Sequence, residues 1–164
     1  SGQDKALIGL IAGSAVAATI FYLDFRIKNK VEREYREDAC IRKGRGKILL
    51  QKFHNPGLML GVGSGKKKLA AALSLFMTFA AFALFLVSFG KKGNRLLHFG
   101  LPLLLGGAFS NAYDRLKRGY VVDYVSFDIG SKRLKNIVFN VSDFFIMIGA
   151  LITALGLSER DPLV

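Results

Sequence analysis

Four long apolar blocks constrain this chain more than any other feature of its sequence. They cover residues 6–23, 69–89, 96–110 and 144–157. A helix needs roughly 20 apolar residues to cross a bilayer core of about 30 Å, and the first two blocks are long enough unaided. The other two reach that length only if their polar neighbours, 111–115 and 140–143, belong to the same helices.

Composition agrees with membrane helices in a single domain. Because 51% of the residues are hydrophobic and 22% are charged, the apolar residues must be concentrated in the blocks. The first block is too long for the apolar core of a cleaved signal peptide, and three more blocks follow it. We therefore predict an all-α membrane protein with one domain over 1–164. Its four transmembrane helices are expected at about 6–27, 69–89, 96–115 and 140–157.

The connections between the blocks predict a small β-structure outside the membrane. Residues 30–66 begin too charged to lie in hydrocarbon and become strand-like in "KILLQKFHN", so we expect a surface cradle there. Residues 119–139 mix β-branched and aromatic residues around "DIGS", which predicts a hairpin before the last helix. A tight polar turn is expected at 90–95.

Cysteine and histidine are too few for a structural metal site. The chain has one Cys, Cys40, and two His, so an internal disulfide is excluded and a zinc site of His and Cys is not expected. The formal net charge is +12, but the basic residues lie in short segments between apolar blocks rather than in a nucleic-acid-binding domain. We expect anionic membrane phospholipids, and no nucleic acid, as partners of these segments.

Charged side chains at the end of the third block predict a functional site. Asn111, Asp114 and Arg115 are three and four residues apart, so they project from one helix face. By insertion scales a charge costs about 2.5 to 3.5 kcal/mol at a helix centre and less near its end, which makes a functional role the default interpretation. The alternative is an Asp114–Arg115 pair, or a bridge to Arg118, that only anchors the helix end.

Two aspartates flank the predicted hairpin. Asp123 lies among apolar β-branched residues in "YVVDYV", where little would solvate its carboxylate. Asp143 opens the fourth block with Asn140 three residues before it, and a contact at the helix N-terminus is the alternative interpretation. Two nearby carboxylates do not both ionise cheaply. One ionised and one protonated Asp can hydrolyse an amide, because the first takes a proton from the attacking water and the second supports the carbonyl oxygen.

Two further polar stretches lie upstream. Asp24 and Lys28 stand at i and i+4 where the first helix leaves its apolar block. The alternative to a functional role is an intrahelical ion pair worth about 0.3 kcal/mol. His54 and Asn55 open the Pro-Gly turn of "FHNPGLMLG". For His54 a loop histidine without catalytic duty is the favoured interpretation.

These motifs together resemble the lipoprotein signal peptidases, also called signal peptidase II, a family of four-helix intramembrane aspartic proteases. The stretches "GGAFSNAYDRLKRGYVVDY" and "FNVSDFFIMIG" resemble the two carboxylate motifs of the family. "LDFRIK" resembles its Asp and Lys motif, and "HNPG" its Asn-x-Gly turn. The resemblance implies a bacterial, multi-pass protein of the inner membrane that needs no cofactor and no metal.

The resemblance also implies roles for the polar residues. Asp123 and Asp143 match the catalytic dyad. The substrate-binding or site-supporting positions are matched by Asn111, Asp114, Arg115, Asn140, Asn55, Asp24 and Lys28. The family removes the signal peptide of a prolipoprotein just before a cysteine that carries diacylglycerol. Its active site lies near the outer leaflet and both termini are cytoplasmic; we expect a monomer.

Departures from the family pattern bear on substrate and orientation. Pro56 stands where small hydroxyl residues are common, and Ser142 stands where alanine is usual and introduces a donor for Asp143 or its neighbour. Residues 24–68 and 111–143 together carry 19 of the 24 Lys and Arg residues. The positive-inside rule places such loops in the cytoplasm, whereas the resemblance places them outside, and we follow the resemblance.

Two other functions stay open on the sequence. A divergent relative with the same fold would cleave another membrane substrate, or only bind lipoprotein, and the altered Asn55 loop and the long basic first loop favour that alternative. A small transporter or proton relay also places paired carboxylates in a membrane. Transporters of this kind are expected to carry repeated half-motifs, and the two polar stretches here are not repeats of each other.

Overall fold

The computed structural model describes residues 1–58, 62–63, 65–90 and 94–159. In these ranges the chain forms long helices, one short helix and a small sheet. In chain order the elements are α1 (Gly2–Glu34), β1 (Cys40–Lys43), β2 (Ile48–Asn55), α2 (Lys67–Val87), α3 (Arg95–Lys117), β3 (Val121–Phe127), α4 (Lys132–Lys135) and α5 (Val141–Ser158). Residues 91–93 of the turn predicted at 90–95 lie outside the described residues, and Arg95 already belongs to α3.

Helix α1 is longer than its apolar block. Ser1 caps its start through a capping box with Asp4, and Tyr35, in an extended conformation, ends it. Beyond the apolar block the chain is rich in Lys, Arg and Glu, which are good helix formers, so the helix continues to Glu34. The first part of the predicted cradle, residues 30–34, is therefore helical.

Helix α3 lies at the centre of the bundle and packs against α1, α2 and α5. Two glycines allow close approach: a Cβ at Gly106 would meet the Ala17 carbonyl of α1, and a Cβ at Gly107 would meet the Ser142 carbonyl of α5. The C-terminal half of α3 is thereby brought against the first turn of α5. The polar residues of both helices meet there.

A buried apolar cluster holds α2 against α3. It contains Ala81 and Phe85 of α2 together with Leu97, Leu101 and Leu105 of α3. Within each helix these side chains are four residues apart, which places them on one face. The cluster holds α2 and α3 together on the apolar side of the helix ends that carry the site residues.

Among the described residues, three helices are long and apolar enough to cross a membrane: α1, α2 and α5. Their outward faces expose large apolar side chains, such as Ile8, Phe76 and Leu151, which suits contact with lipid. Helix α3 is not one of the three, and His98 and Pro102 interrupt its apolar stretch. The chain is mostly helical, with three candidate membrane spans and a small sheet.

A three-stranded antiparallel sheet forms in the order β1-β2-β3. The turn between β1 and β2 contains Arg45, which has a left-handed backbone with φ 58°. Strand β2 then pairs with β3, with Phe53 opposite Asp123 and His54 opposite Val122. Asp123 is therefore held in register by a strand from the first connection.

The hairpin predicted at 119–139 is not formed. Strand β3 pairs with β2 instead, and the following segment folds into α4, which the Ser131 side chain caps. Within this fully described segment a single isolated bridge, Val125 to Phe139, joins the two arms. The prediction was wrong because alternation of apolar residues indicates a strand without indicating its partner.

Candidate active site

Strand β3 and helix α5 bring the two aspartates into one buried region. Asp123 lies in the middle of β3 and is 2% exposed, and Asp143 lies in the first turn of α5 and is 7% exposed. Asn140 caps α5, because its Oδ1 accepts the Asp143 N–H at 2.9 Å and its own N–H donates to Asp143 Oδ2 at 2.9 Å. The helix N-terminal contact considered for Asp143 is present, and it leaves the second carboxylate oxygen for another donor.

The side-chain amides of Asn140 and Asn111 connect the two aspartates. Asn140 Nδ2 donates to Asp123 Oδ1 at 2.9 Å and to Asn111 Oδ1 at 2.9 Å. Asn111 Nδ2 donates to Asp143 Oδ1 at 3.0 Å. Asp123 and Asp143 therefore belong to one continuous hydrogen-bond network.

A buried lysine fixes the orientation of the Asn111 amide. Lys28 Nζ donates to Asn111 Oδ1 at 2.9 Å, and the same oxygen accepts from Asn140. An amide oxygen accepts while the amide nitrogen only donates, so Asn111 Nδ2 must face Asp143. The reversed amide would place its NH₂ group against the Lys28 ammonium.

Asp24 and Lys28 form an ion pair that is completely buried. Both are 0% exposed, and Lys28 Nζ lies 2.9 Å from Asp24 Oδ2. Asp24 also accepts hydrogen bonds at 2.6 to 2.8 Å from Ser110, Ser142 and Tyr124. The intrahelical pair considered from sequence is present, but its burial and its donors make it part of the site rather than of a solvated helix face.

Ser110 and Tyr124 are site residues that the sequence motifs did not indicate. Ser110 accepts from Lys28 at 3.0 Å and donates to Asp24 at 2.8 Å. The Tyr124 hydroxyl donates to Asp24 and accepts the Val141 N–H at 2.9 Å. The only sequence signal for Tyr124 is a hydroxyl next to Asp123 in an otherwise apolar strand. Ser142, expected to donate to Asp143 or its neighbour, donates to Asp24 instead.

Asp114 links helix α3 to strand β3. Its Oδ2 accepts the Val122 N–H at 3.0 Å and lies 3.3 Å from Lys28 Nζ. Its Oδ1 accepts from Arg118 Nε at 3.2 Å, which is the anchoring bridge considered from sequence. Because Val122 precedes Asp123, this contact also fixes the backbone of the strand beside the aspartate.

Arg115 turns away from Asp114 and holds the turn that follows Asn55. Its guanidinium donates to Gly57 O at 2.9 and 3.2 Å and to Ser74 Oγ at 3.0 Å. Asn55 Oδ1 accepts the Gly57 N–H at 3.0 Å and closes a tight turn. Arg115 therefore fastens the end of β2 to α2 and α3 at the rim of the site.

A small cavity is lined by both aspartates. Asn55, Asn111 and Arg115 line it as well, with apolar residues at 121 and 137–139. Its volume is about 10 Å³, which is close to what one water molecule needs. Burial, and after it the charge of Asp143, raises the pKa of Asp123 to about 8. The cavity thus offers room for one water beside a carboxyl group that keeps its proton at neutral pH.

His54 contacts residues other than the two aspartates. His54 is on β2, where Nε2 lies 2.6 Å from Glu32 Oε1 and the ring stacks on Tyr120 with 3.9 Å between centroids. This contact joins α1 to the sheet, and His54 lies in a strand and not in the loop expected from sequence. In the part of the chain that the structure describes, no group of three or more His, Cys, Asp and Glu side chains is arranged to hold a metal ion.

Comparison with known proteins decides the family. A family model described as signal peptidase (SPase) II matches residues 16–158 and includes every site residue named above. The chain belongs to the signal peptidase II family. The resemblance found in the sequence motifs is thereby confirmed.

Relatives of this signal peptidase II family member align over most of their length. The lipoprotein signal peptidase of Caldicellulosiruptor bescii is 28% identical over 138 residues, 84% of each chain. That of Halothermothrix orenii is 27% identical over 147 residues, 89% of this chain and 94% of its own. That of Nostoc punctiforme is 36% identical over 108 residues, 66% of this chain and 65% of its own.

Solved structures share the fold of this family member. A bacterial membrane enzyme determined by the in meso method at 2.3 Å resolution gives a TM-score of 0.78 at 20% identity, covering 91% of this chain and 88% of its own. A second bacterial membrane enzyme, determined by the same method at 1.9 Å resolution, gives a TM-score of 0.76 at 20% identity. The match covers 92% of this chain and 94% of its own. The arrangement of helices and sheet described above is therefore a known membrane-enzyme fold.

Proposed function

We propose that this signal peptidase II family member removes signal peptides from diacylglyceryl-modified prolipoproteins, with Asp123 and Asp143 as its catalytic dyad. The observation that carries the proposal is the amide network in which Asn140 donates to both carboxylates. Both carboxylates line one cavity of about one water in volume. Family membership supports the substrate, and the network supports the residues.

Hydrogen bonding supports an ionised Asp143 and a protonated Asp123. Asp143 accepts N–H groups from Asn140 and Asn111, whereas at Asp123 burial and the Asp143 charge outweigh the hydrogen bonds from Asn140 and Asn55. Donors aimed at a carboxylate favour its charged form. The raised pKa of Asp123, about 8, keeps a proton on it near neutral pH.

With these protonation states, hydrolysis needs no covalent intermediate. Asp143 takes a proton from water as the water oxygen bonds to the scissile carbonyl carbon, and Asp123 gives its proton to the carbonyl oxygen. In the second step the C–N bond breaks, Asp143 passes its proton to the leaving nitrogen, and Asp123 takes one back from a hydroxyl of the intermediate. The dyad returns to one carboxylate and one carboxylic acid.

The other predicted site residues divide by position. Three line the cavity and are proposed to contact substrate: Asn55, Asn111 and Arg115. Four act through their contacts with the dyad and its strand: Asn140, Asp24, Lys28 and Asp114. In this proposal Lys28 acts by orienting Asn111, and Asp114 acts by holding the backbone next to Asp123.

The membrane setting follows from the polar helix ends. We place α3 as a fourth span whose last turns, from Asn111 onward, lie at the boundary of the bilayer. The diacylglyceryl chains of a substrate cysteine would lie in the lipid. The peptide bond before that cysteine would therefore lie at the bilayer boundary, at the depth of the polar end of α3. We further propose a monomer in the inner membrane, with the site near the outer leaflet and anionic phospholipids around the basic connections.

The test is cleavage of a diacylglyceryl-modified precursor peptide by the purified protein. Asp123→Asn and Asp143→Asn should each lower kcat about 10³-fold, within the usual contribution of general acid–base catalysis. Asp38→Asn removes an exposed carboxylate paired with Arg36 and should leave kcat unchanged. Cleavage that survives both dyad substitutions would end the assignment of the dyad.

A second substrate separates the proposed activity from its alternative. The same peptide without the diacylglyceryl group should not be cleaved by the parent protein. If the parent cleaves neither form of a peptide that a known lipoprotein signal peptidase accepts, this chain acts on another membrane substrate or only binds lipoprotein.

A further inference from the structure

A group of basic side chains stands on the outer face of α1, away from the dyad. Arg26, Lys30 and Arg33 are exposed and lie at i, i+4 and i+7, so they form one stripe along the helix. With Ile27 and Asn29 they line an open cavity of about 320 Å³. We call this feature, defined by these five residues, the basic notch.

The notch begins where α1 leaves the apolar part of the membrane. Tyr22 is exposed at that point, as is usual for a tyrosine at a membrane interface. Arg26 donates to the Tyr22 hydroxyl at 3.1 Å, and its guanidinium lies 5.8 Å from the centre of the ring. Lys30 and Arg33 follow by about 6 and 10 Å along the helix axis, given a rise of about 1.5 Å per residue. The stripe therefore crosses the depth of the lipid headgroups.

Little negative charge offsets the notch. In the part of the chain that the structure describes, the carboxylate paired with the notch is that of Glu34, with Oε1 3.0 Å from Arg33 and Oε2 3.9 Å from Lys30. These are exposed contacts, so they hold the side chains weakly. Glu32 faces the sheet, where it contacts His54. The notch thus presents three positive groups against one carboxylate.

We propose that the basic notch binds the phosphate of an anionic phospholipid headgroup. Arginine offers paired N–H donors that match phosphate oxygens, and basic residues at the membrane surface attract anionic lipid. The ligand is a lipid of the bilayer around α1, because the stripe starts beside Tyr22 and would meet headgroups at their own level.

The notch is connected to the site by contacts behind it. Asn29 Oδ1 accepts from Arg118 at 2.6 Å, and Arg118 donates to Asp114 at 3.2 Å. Asp114 in turn accepts the Val122 N–H beside Asp123. A lipid in the notch therefore packs on the outside of the network that fixes β3.

Binding is measured with a tryptophan at Leu23, because the chain has no Trp of its own. Leu23 is exposed and lies three and seven residues before Arg26 and Lys30, on the same face. In vesicles of phosphatidylcholine, brominated phosphatidylglycerol should quench Leu23→Trp with an association constant about fivefold above that of brominated phosphatidylcholine. Equal quenching by the two lipids would overturn the proposal.

Charge-matched variants locate the binding. In the Leu23→Trp background, Arg26→Gln/Lys30→Gln/Arg33→Gln should bring the ratio of the two constants to about 1. The control Lys43→Gln/Arg45→Gln/Lys47→Gln removes the same charge from β1 and its turn and should keep the ratio of the parent. If both triple variants lose the preference for phosphatidylglycerol equally, the attraction is due to overall charge, and the proposal of a lipid site in the basic notch is refuted.

The lipid measurement is independent of the proposed peptidase activity. Quenching needs no substrate and no catalysis, so a negative result leaves the dyad assignment intact. Conversely, loss of cleavage in Asp123→Asn leaves the lipid preference of Leu23→Trp unchanged.

Discussion

At the scale of single residues, Asp123 is a carboxyl group that the fold removes almost completely from water. Its carboxyl is buried on β3 and accepts from Asn140 at 2.9 Å. An aspartate in an unfolded chain has a pKa of about 3.9, whereas burial and then the Asp143 charge raise the pKa of Asp123 to about 8. Between these values the folded state holds a proton that the unfolded state has lost. The free energy of unfolding contributed by Asp123 therefore falls as pH rises from about 4 to about 8.

Asp123→Asn should therefore stabilise the protein at alkaline pH. The amide brings no charge into the buried site and keeps an oxygen that accepts from Asn140. At pH 9 in detergent, Tm should exceed that of the parent by about 5 °C, corresponding to about 2 kcal/mol. The difference should shrink to a small value near pH 4, where the parent carboxyl is protonated in the folded state and about half protonated in the unfolded chain.

The control for this experiment is Asp38→Asn, whose carboxylate is exposed. Its Tm should follow that of the parent at every pH. If Asp123→Asn raises Tm by the same amount at pH 4 and at pH 9, the pKa of Asp123 is not raised.

At the scale of secondary-structure elements, β3 joins two helices as well as carrying Asp123. Successive side chains of a strand point to opposite faces, so Tyr124 points away from the Asp123 side. Its hydroxyl donates to Asp24 of α1 at 2.8 Å and accepts the Val141 N–H of α5 at 2.9 Å. One hydroxyl therefore holds the strand against the ends of both helices.

Tyr124→Phe should lower both stability and catalytic rate. Removing the hydroxyl leaves buried partners unpaired on Asp24 and Val141, at a cost of about 2 kcal/mol, so Tm should fall by about 5 °C. Because α5 starts at Val141 and carries Asp143, kcat should fall several-fold while KM changes little. Tyr35→Phe removes a hydroxyl outside this network and serves as the control. Equal effects of the two substitutions would contradict the role assigned to Tyr124.

The sequence could predict the helices and the motif residues, because apolar length and charges at helix ends are local signals. It could not predict that β3 pairs with β2, since strand alternation does not name a partner. It also could not predict Ser110 and Tyr124 in the site. Their contacts to Asp24 span 86 and 100 residues along the chain, so only the packing of α1, α3 and β3 brings them together.

At the scale of the whole molecule, the distribution of charge opposes the proposed orientation. The segments 24–68 and 111–143 hold 19 of the 24 Lys and Arg residues, and the sheet formed by their described parts lies at the end of the bundle that carries the site. The positive-inside rule places this end in the cytoplasm. The proposed reaction places it outside, where a lipid-modified prolipoprotein would meet the dyad. If the notch binds anionic headgroups, positive charge has a use on the outer side as well.

Labelling of native Cys40 decides between the two orientations. It is the single cysteine of the chain, it is exposed, and it begins β1 at the site end. A membrane-impermeant maleimide should label Cys40 in intact cells, and it should label Arg45→Cys in a Cys40→Ala background in the same way. Glu159→Cys in that background lies beyond the end of α5, at the opposite end of the bundle, and should react only after lysis. The reverse pattern would place the site in the cytoplasm. Because β1 pairs with β2, and β2 pairs with the strand of Asp123, the label reports the side of the membrane on which the dyad lies.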